Sequence, residues 1–219
     1  MLELRTITLL TKYLNRAQMG KDLIDRVPIF KATLFECEVS LSELPDGPSW
    51  SIIEELSKAK ESSRIYQAEY AQPLCTALQL GLVMMLKTLE VEPVAVVGHS
   101  SGEICAAFTA GIITLRDAIV IAYYRGLFSA RTASTQPSDK PHGSMCALGL
   151  SEKDARTLLD AFGDRVQLAA VNSPTNCTLS GDEDAIREII TIYAENGTFC
   201  RKLRVDTGGL GQNLGCFRC

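Results

Sequence analysis

Gly98-His99-Ser100-Ser101-Gly102 is the stretch of this sequence with the clearest chemistry. Its G-x-S-x-G spacing suits a nucleophilic hydroxyl held at a strained turn between a strand and a helix. A side chain at either glycine would crowd strand against helix. Val94–Val97, behind Pro93, is an apolar run long enough for one buried strand, and Ile104–Ala110 reads as a helix closed by Gly111. A helix starting just after Ser100 would aim free backbone N–H groups, that of Ser101 among them, at the place where an oxyanion forms. His99 adjoins the serine, but neighbours on a sharp turn point apart, so it is given a supporting role at most rather than that of the base. A tight strand-to-helix turn around an inert serine would use the same glycines.

The elements that must position this turn are legible on both sides of it. Residues 17–44 suggest amphipathic helices, with Leu23, Ile24, Val27, Ile29, Phe30, Leu34 and Phe35 as the apolar set and a new segment starting at Pro28. Pro45-Asp46-Gly47-Pro48 is a turn. Ser51–Ala59 is a helix with Ile52, Ile53 and Leu56 inward, and residues 60–68 form a polar, exposed connection. Pro73–Leu89 is long, apolar and helical, with Met84 and Met85 as core filler. Thr114 and Asp117 have the spacing of a capping box. The helix after them, from Ala118 to about Ala130, is apolar on several sides and should pack inside the domain. Arg125 lies late in that helix and needs a partner there. A planar carboxylate offers a bidentate one; reaching solvent or capping its own helix end would also satisfy it.

Residues 131–141 read as a linker, with His142 at its end as a solvated loop residue. Beyond it the pattern changes. Ser144–Gly149, Val166–Val171, Thr175–Leu179 and Thr198–Val205 read as strands, and Ser151–Phe162 and Asp182–Asn196 as helices. The order β-α-β-β-α-β is the ferredoxin-like signature. The glycine-rich tail 208–215 lacks the G-K-[ST] ending of a phosphate loop and is expected to be disordered.

Composition narrows the class. The chain has 219 residues, enough for one large or two small domains, and a net charge of −4, which argues against a nucleic-acid surface. No apolar run reaches membrane-spanning length, and Glu3, Arg5 and Lys12 make the start unlike a signal peptide. Eight scattered cysteines read as reduced thiols of a cytoplasmic protein. No metal set is apparent, since Cys216 and Cys219 form a lone pair.

Several stretches together carry a family resemblance: Gln72–Gln79, Val97–Glu103, Ala122-Tyr-Tyr-Arg-Gly126, Ala170-Val-Asn-Ser-Pro174 and Arg201–Thr207. In order and spacing the region from Gln72 to Thr207 resembles the acyltransferase domain, similar to malonyl-CoA:acyl-carrier-protein transacylases, of an iterative, fungal-type type I polyketide synthase. The resemblance implies an α/β fold. An α/β-hydrolase-like subdomain with a parallel sheet, residues 1–140 and 207–219, would hold an inserted ferredoxin-like subdomain, residues 141–206, with the active site in their cleft. It implies Ser100 as nucleophile and Ser101 N–H as oxyanion donor. Arg125 would pair with the free carboxylate of a malonyl group, with Gln72, His99 and Asn172 near the substrate. From the residues alone, Gln72 reads equally as a capping amide and Asn172 as a turn-forming residue.

It further implies malonyl-CoA as donor and no bound cofactor. The acceptor would be phosphopantetheine on an acyl-carrier protein domain, with neighbouring synthase domains as partners and neither nucleic acid nor membrane among them. Two departures stand out. No glycine-glutamine-glycine loop precedes Ala17, and no histidine stands near Leu210, where the family's catalytic one is expected. The chain is therefore expected to be cut short at both ends and weak or inactive as an enzyme. Two rival readings are a serine esterase or thioesterase of the α/β-hydrolase type, which should carry a late histidine, and a non-catalytic remnant that at most docks a carrier protein.

Overall fold

Phe30, Leu34, Cys37 and Leu41 recur at helical spacing, and in the computed structural model they form the inward stripe of one helix packed against a second. The model describes residues 6–10, 16–134 and 143–203, and these divide into two compact units between Ser129 and Ala130. In chain order the first unit contains β1 (Thr6–Leu10), α1 (Lys21–Arg26), α2 (Pro28–Ser42), α3 (Ile52–Ser57), α4 (Ala68–Thr88), β2 (Ala95–His99), α5 (Gly102–Thr109) and most of α6 (Leu115–Ser134). The second contains β3 (Gly143–Leu148), α7 (Glu152–Asp160), β4 (Val166–Ser173), β5 (Asn176–Asp182), α8 (Glu183–Glu195) and β6 (Cys200–Lys202).

The first core is mainly helical. Phe30, Leu34 and Leu41 of α2 meet Leu74, Leu78 and Leu80 of α4, all essentially removed from solvent. Each such side chain contributes about 1.5–3 kcal/mol. Phe35, expected inward, is 60% exposed, because it lies off the Phe30–Leu34–Leu41 stripe. The connection expected to be polar and exposed throughout buries Ile65 to 1%. The long central helix starts five residues before Pro73 rather than at it, so the proline sits inside α4. A proline there donates no N–H and leaves the carbonyl four residues earlier, that of Glu69, without its helical partner.

The capping signals act as their chemistry requires. Ser51 Oγ accepts from Glu54 N–H at 3.1 Å and Ser151 Oγ from Asp154 N–H at 3.2 Å. Thr114 and Asp117 bond reciprocally, Asp117 N–H to Thr114 Oγ1 at 3.0 Å and Thr114 N–H to Asp117 Oδ2 at 3.1 Å. The Thr114 hydroxyl, donating to Asp117 Oδ2 at 2.6 Å, and then the Thr114 N–H hold the Asp117 carboxyl below its ordinary pKa. The start of α6 is fixed, and Tyr123 and Tyr124 tie its middle down by donating to Asp46 O and Oδ1 at 2.6 and 2.7 Å. The helix continues to Ser134, into the stretch expected to be linker.

β2 pairs in parallel with β1, Thr6 opposite Ala95 through Leu10 opposite His99. It is not the buried strand its apolar letters suggest. Val94 is 87% and Val97 51% exposed. Among the described residues β1 is its one neighbouring strand, so only the face bearing Val96 is packed against the core.

The second unit is an antiparallel four-stranded sheet in the order β4-β5-β3-β6. That is the ferredoxin-like order. Cys146, Leu148, Val166, Cys177 and Leu179 from its strands and Ala155, Ala185, Ile186 and Ile189 from α7 and α8 form its own core. β6 is shorter than expected, and His142, Leu210 and the glycine-rich tail lie outside the described residues.

One charged group is held inside the first unit. Glu55 is 1% exposed, and its Oε1 accepts from Lys58 Nζ at 2.6 Å and from Arg64. Arg64 also donates to Tyr70 OH, closing the loop between α3 and α4. Burial pushes the Glu55 carboxyl up, but the Arg64 and Lys58 hydrogen bonds outweigh it and hold the pKa below its ordinary 4.5. Its stabilisation is therefore present above that value and lost as pH falls through the lowered folded-state pKa. Glu55→Gln should cost about 1.5–3 kcal/mol near neutral pH, the range for a charged hydrogen bond. Urea unfolding should show the gap between variant and wild type closing in acid; a gap that stays constant down to the acid limit would exclude the ionised network.

Candidate active site

The turn from β2 into α5 is made by a residue that dislikes it. Ser100 has φ +57°, the left-handed region that side-chain-bearing residues rarely enter. Ser101 already has helical angles (φ −66°, ψ −13°), and Glu103 N–H bonds back to Ser100 O at 3.2 Å. This reversal works only if strand and helix nearly touch. A Cβ on Gly98 would stand 2.3 Å from Glu103 N and 2.4 Å from Gly102 C, both backbone atoms that cannot give way. The result is an exposed Ser100 hydroxyl above a buried Ser101, 3% exposed, at the start of α5. The first N–H groups of a helix have no intrahelical acceptors and attract negative charge.

Arg125 lies on the exposed side of α6, not inside the domain as its apolar neighbours suggest. Those neighbours divide between faces: Ala122 and Tyr123 turn inward, while Ile121 and Phe128 are exposed. Arg125 Nη2 stands 3.4 Å from Ser100 Oγ, long for a hydrogen bond, and donates to it. Among the described residues no ion pair with a carboxylate is formed by Arg125. A cation without a protein carboxylate beside an exposed hydroxyl suits a ligand that brings its own negative charge.

Gln72 projects from α4 where α6 crosses it. Its side chain is half buried, and its Oε1 is buried with no hydrogen-bond partner among the described residues. The α6 residue at that crossing is Gly126, next to Arg125. A Cβ there would lie 2.7 Å from Ala68 O, 3.1 Å from Glu69 O and 3.3 Å from Gln72 Cβ. Sequence reasoning gave this glycine no packing role. A glycine in mid-helix beside the arginine was the available signal, since it weakens a helix unless close packing requires it. His99 is exposed at the end of β2. Asn172 belongs to the second unit, where its Nδ2 donates to Asn176 Oδ1 and Thr178 Oγ1, each at 2.9 Å, within the β4–β5 hairpin. The structure thus brings Ser100, Ser101, Arg125 and Gln72 into one unit, while the amide of Asn172 is engaged in its own hairpin.

The other nucleophiles are muted. The six described cysteines are free thiols, five of them buried. Burial pushes Cys75, Cys105 and Cys146 up to about 12 and Cys37 higher still. Cys177 and Cys200 are raised for the same reason. Among the described residues no group of three or more His, Cys, Asp or Glu could hold a metal ion, and no helix is long and apolar enough to cross a membrane.

Comparison with known proteins gives a consistent set of likenesses. The family model described as "Acyl transferase domain" matches residues 16–209. The hybrid PKS-NRPS synthetase lepA of Aspergillus flavus is 50% identical over 193 residues, 87% of this chain and 5% of that protein. Tenellin synthetase of Beauveria bassiana is 48% identical over 193 residues, 86% of this chain and 4% of that protein. The chain therefore spans about one-twentieth of the length of these relatives. Among solved structures, the acyltransferase domain from module 8 of the salinomycin polyketide synthase has a TM-score of 0.80 at 28% identity, covering 93% of this chain and 46% of that one. A loading acyltransferase from the avermectin modular polyketide synthase, at 22% identity and TM-score 0.81, is alike in fold; 93% of this chain and 62% of that one are covered.

The left-handed Ser100 makes an energetic prediction. Ser100→Gly should raise stability by about 1–2 kcal/mol, because glycine enters that region without penalty. Ser100→Ala should show no such gain. Thermal or urea unfolding of the two variants checks this; equal stabilities would show that the turn carries no strain.

Proposed function

The chain belongs to the acyl transferase domain family, and from that premise we propose that Ser100 accepts a malonyl-type acyl group from coenzyme A and passes it to a carrier-protein thiol. The observation that carries this reading is the 3.4 Å approach of Arg125 to the hydroxyl of a serine in a left-handed turn at a helix start. In the first half-reaction Ser100 Oγ attacks the thioester carbon. The developing oxyanion is met by N–H groups at the start of α5, Ser101's first. The C–S bond breaks, the serine proton passes to the departing thiolate, and an acyl ester remains. In the second half-reaction a phosphopantetheine thiol attacks that ester and Ser100 recovers its proton. Through both steps Arg125 would hold the free carboxylate of the acyl group in a bidentate pair, with Gln72 and His99 beside the substrate.

The relatives are multidomain synthetases by name, which supports a carrier domain and adjacent synthase domains as the chain's partners in the cytoplasm. Asn172 is proposed as a further substrate contact on the second unit. The division into a hydrolase-like subdomain, residues 1–140 and 207–219, and a ferredoxin-like one, residues 141–206, is proposed on the same ground. The rate is expected to be low. The sequence has no histidine near Leu210, and a serine without its base loses several orders of magnitude.

Intact-mass spectrometry after long incubation with malonyl-CoA should find one malonyl group on Ser100 and none on Ser100→Ala. Label spread over lysines and unchanged in that variant would sink the assignment. Faster turnover of simple p-nitrophenyl esters, with no preference for malonyl thioesters, would point to a hydrolase instead. Arg125→Ala should weaken malonyl transfer by about 1.5–3 kcal/mol, the range for a charged hydrogen bond. Acetyl transfer should be little changed. Initial rates of Ser100 acylation with the two donors measure the difference, and equal losses would make Arg125 structural.

A further inference from the structure

We propose that Gly126 is a positioning residue that sets the carboxylate selectivity exerted through Arg125. The inference rests on the reading of Arg125 given above and adds the contact that fixes where that side chain starts.

α6 approaches α4 very closely at Gly126. There Gly126 faces two consecutive backbone carbonyls, Ala68 O and Glu69 O, and the Cβ of Gln72. Ala68, Glu69 and Gln72 occupy neighbouring positions on α4, at i, i+1 and i+4. One of the two carbonyls has been made available by the sequence. Pro73 has no N–H to give Glu69 O, so that oxygen lacks its ordinary helical hydrogen bond. Bare Cα–H groups of a glycine can lie against such oxygens, a weak but recurrent helix–helix contact. A methyl group 2.7 Å from Ala68 O cannot, and neither backbone can move without carrying its helix.

Arg125 is the next residue on α6, and its guanidinium reaches Ser100 Oγ only at the far limit of a hydrogen bond, 3.4 Å. The two neighbouring anchors of α6, Tyr123 and Tyr124 on Asp46, hold the helix along its length. Gly126 fixes its depth against α4. Pushing α6 outward by a methyl's width would shift the Arg125 backbone from its present place relative to Ser100. An uncharged acyl group, which makes no use of Arg125, would not register the change.

The test compares binding of malonyl-CoA and acetyl-CoA to the full chain by calorimetry, in wild type, Arg125→Ala and Gly126→Ala. Wild type should prefer malonyl-CoA, and Arg125→Ala should abolish the preference. Gly126→Ala should lower the preference on the order of tenfold to a hundredfold, as expected for a group misplaced by about an ångström. Its acetyl-CoA affinity should stay at the wild-type value. A folded Gly126→Ala that keeps the wild-type ratio overturns the proposal while leaving the reading of Arg125 intact. A wild type without preference, or an Arg125→Ala that retains it, overturns that reading and this inference with it.

Should circular dichroism show Gly126→Ala unfolded, Pro73→Ala is the second variant. It returns an N–H to Glu69 O and draws that carbonyl back into α4. The malonyl-to-acetyl ratio should then shift while the fold is kept, and an unshifted ratio refutes the role of the crossing.

Discussion

The contact between Gly98 and the first turn of α5 is the constraint on which the rest of this site depends. A strand that must enter a helix within two residues has to bring its own backbone against that helix, and only a residue without a side chain allows it. Once the approach is made, the chain between has no room for an ordinary conformation, and Ser100 is forced left-handed. Its exposure, the burial of Ser101 and the aim of the first N–H groups then follow together. The presentation of this hydroxyl is thus a property of backbone packing, independent of any side-chain base.

A second close approach, between α4 and α6, does for the arginine what the first does for the serine. Both use a glycine against backbone atoms, which are the least yielding neighbours a protein offers. Side chains can settle into new rotamers after a substitution, whereas helices move as bodies. Geometry tied to backbone contacts is therefore held more firmly than geometry tied to long side chains. The buried Glu55 network also fixes backbone, since it locks the loop that delivers the chain into α4.

Much of this was legible before any coordinates. Glycine spacing around Ser100 implied a sharp turn because only one kind of junction needs both glycines. The capping-box spacing of Thr114 and Asp117 marked a helix start because a hydroxyl and a carboxylate so placed have one natural use there. The β-α-β-β-α-β order implied the sheet found in the second unit. Other features depend on what lies across from a residue, which local pattern does not contain. Val94 and Val97 read as buried by composition, yet burial of a strand requires neighbours on both sides. Phe35 and Arg125 were placed inward for the company they keep in sequence, when only the angle around the helix decides. Pro73 read as a helix start, because nothing local says that a second helix will come to rest on the carbonyl it frees. Gly126, read only as part of a family-like stretch, was given no packing role for the same reason.

The muted cysteines bear on the chemistry proposed for Ser100. Thioesters exchange readily with thiolates, so any ionised cysteine near an acyl donor would drain acyl groups into a side reaction. Each described thiol of this chain is shifted toward its protonated form, five of them by near-complete enclosure. An oxygen nucleophile is intrinsically the poorer competitor for a thioester, and it prevails only where the sulfur rivals are silenced. On the proposed reaction, the interior placement of five of these cysteines would act as chemical insulation, leaving the activated carbonyl to a hydroxyl whose ester lasts in water until a carrier arrives.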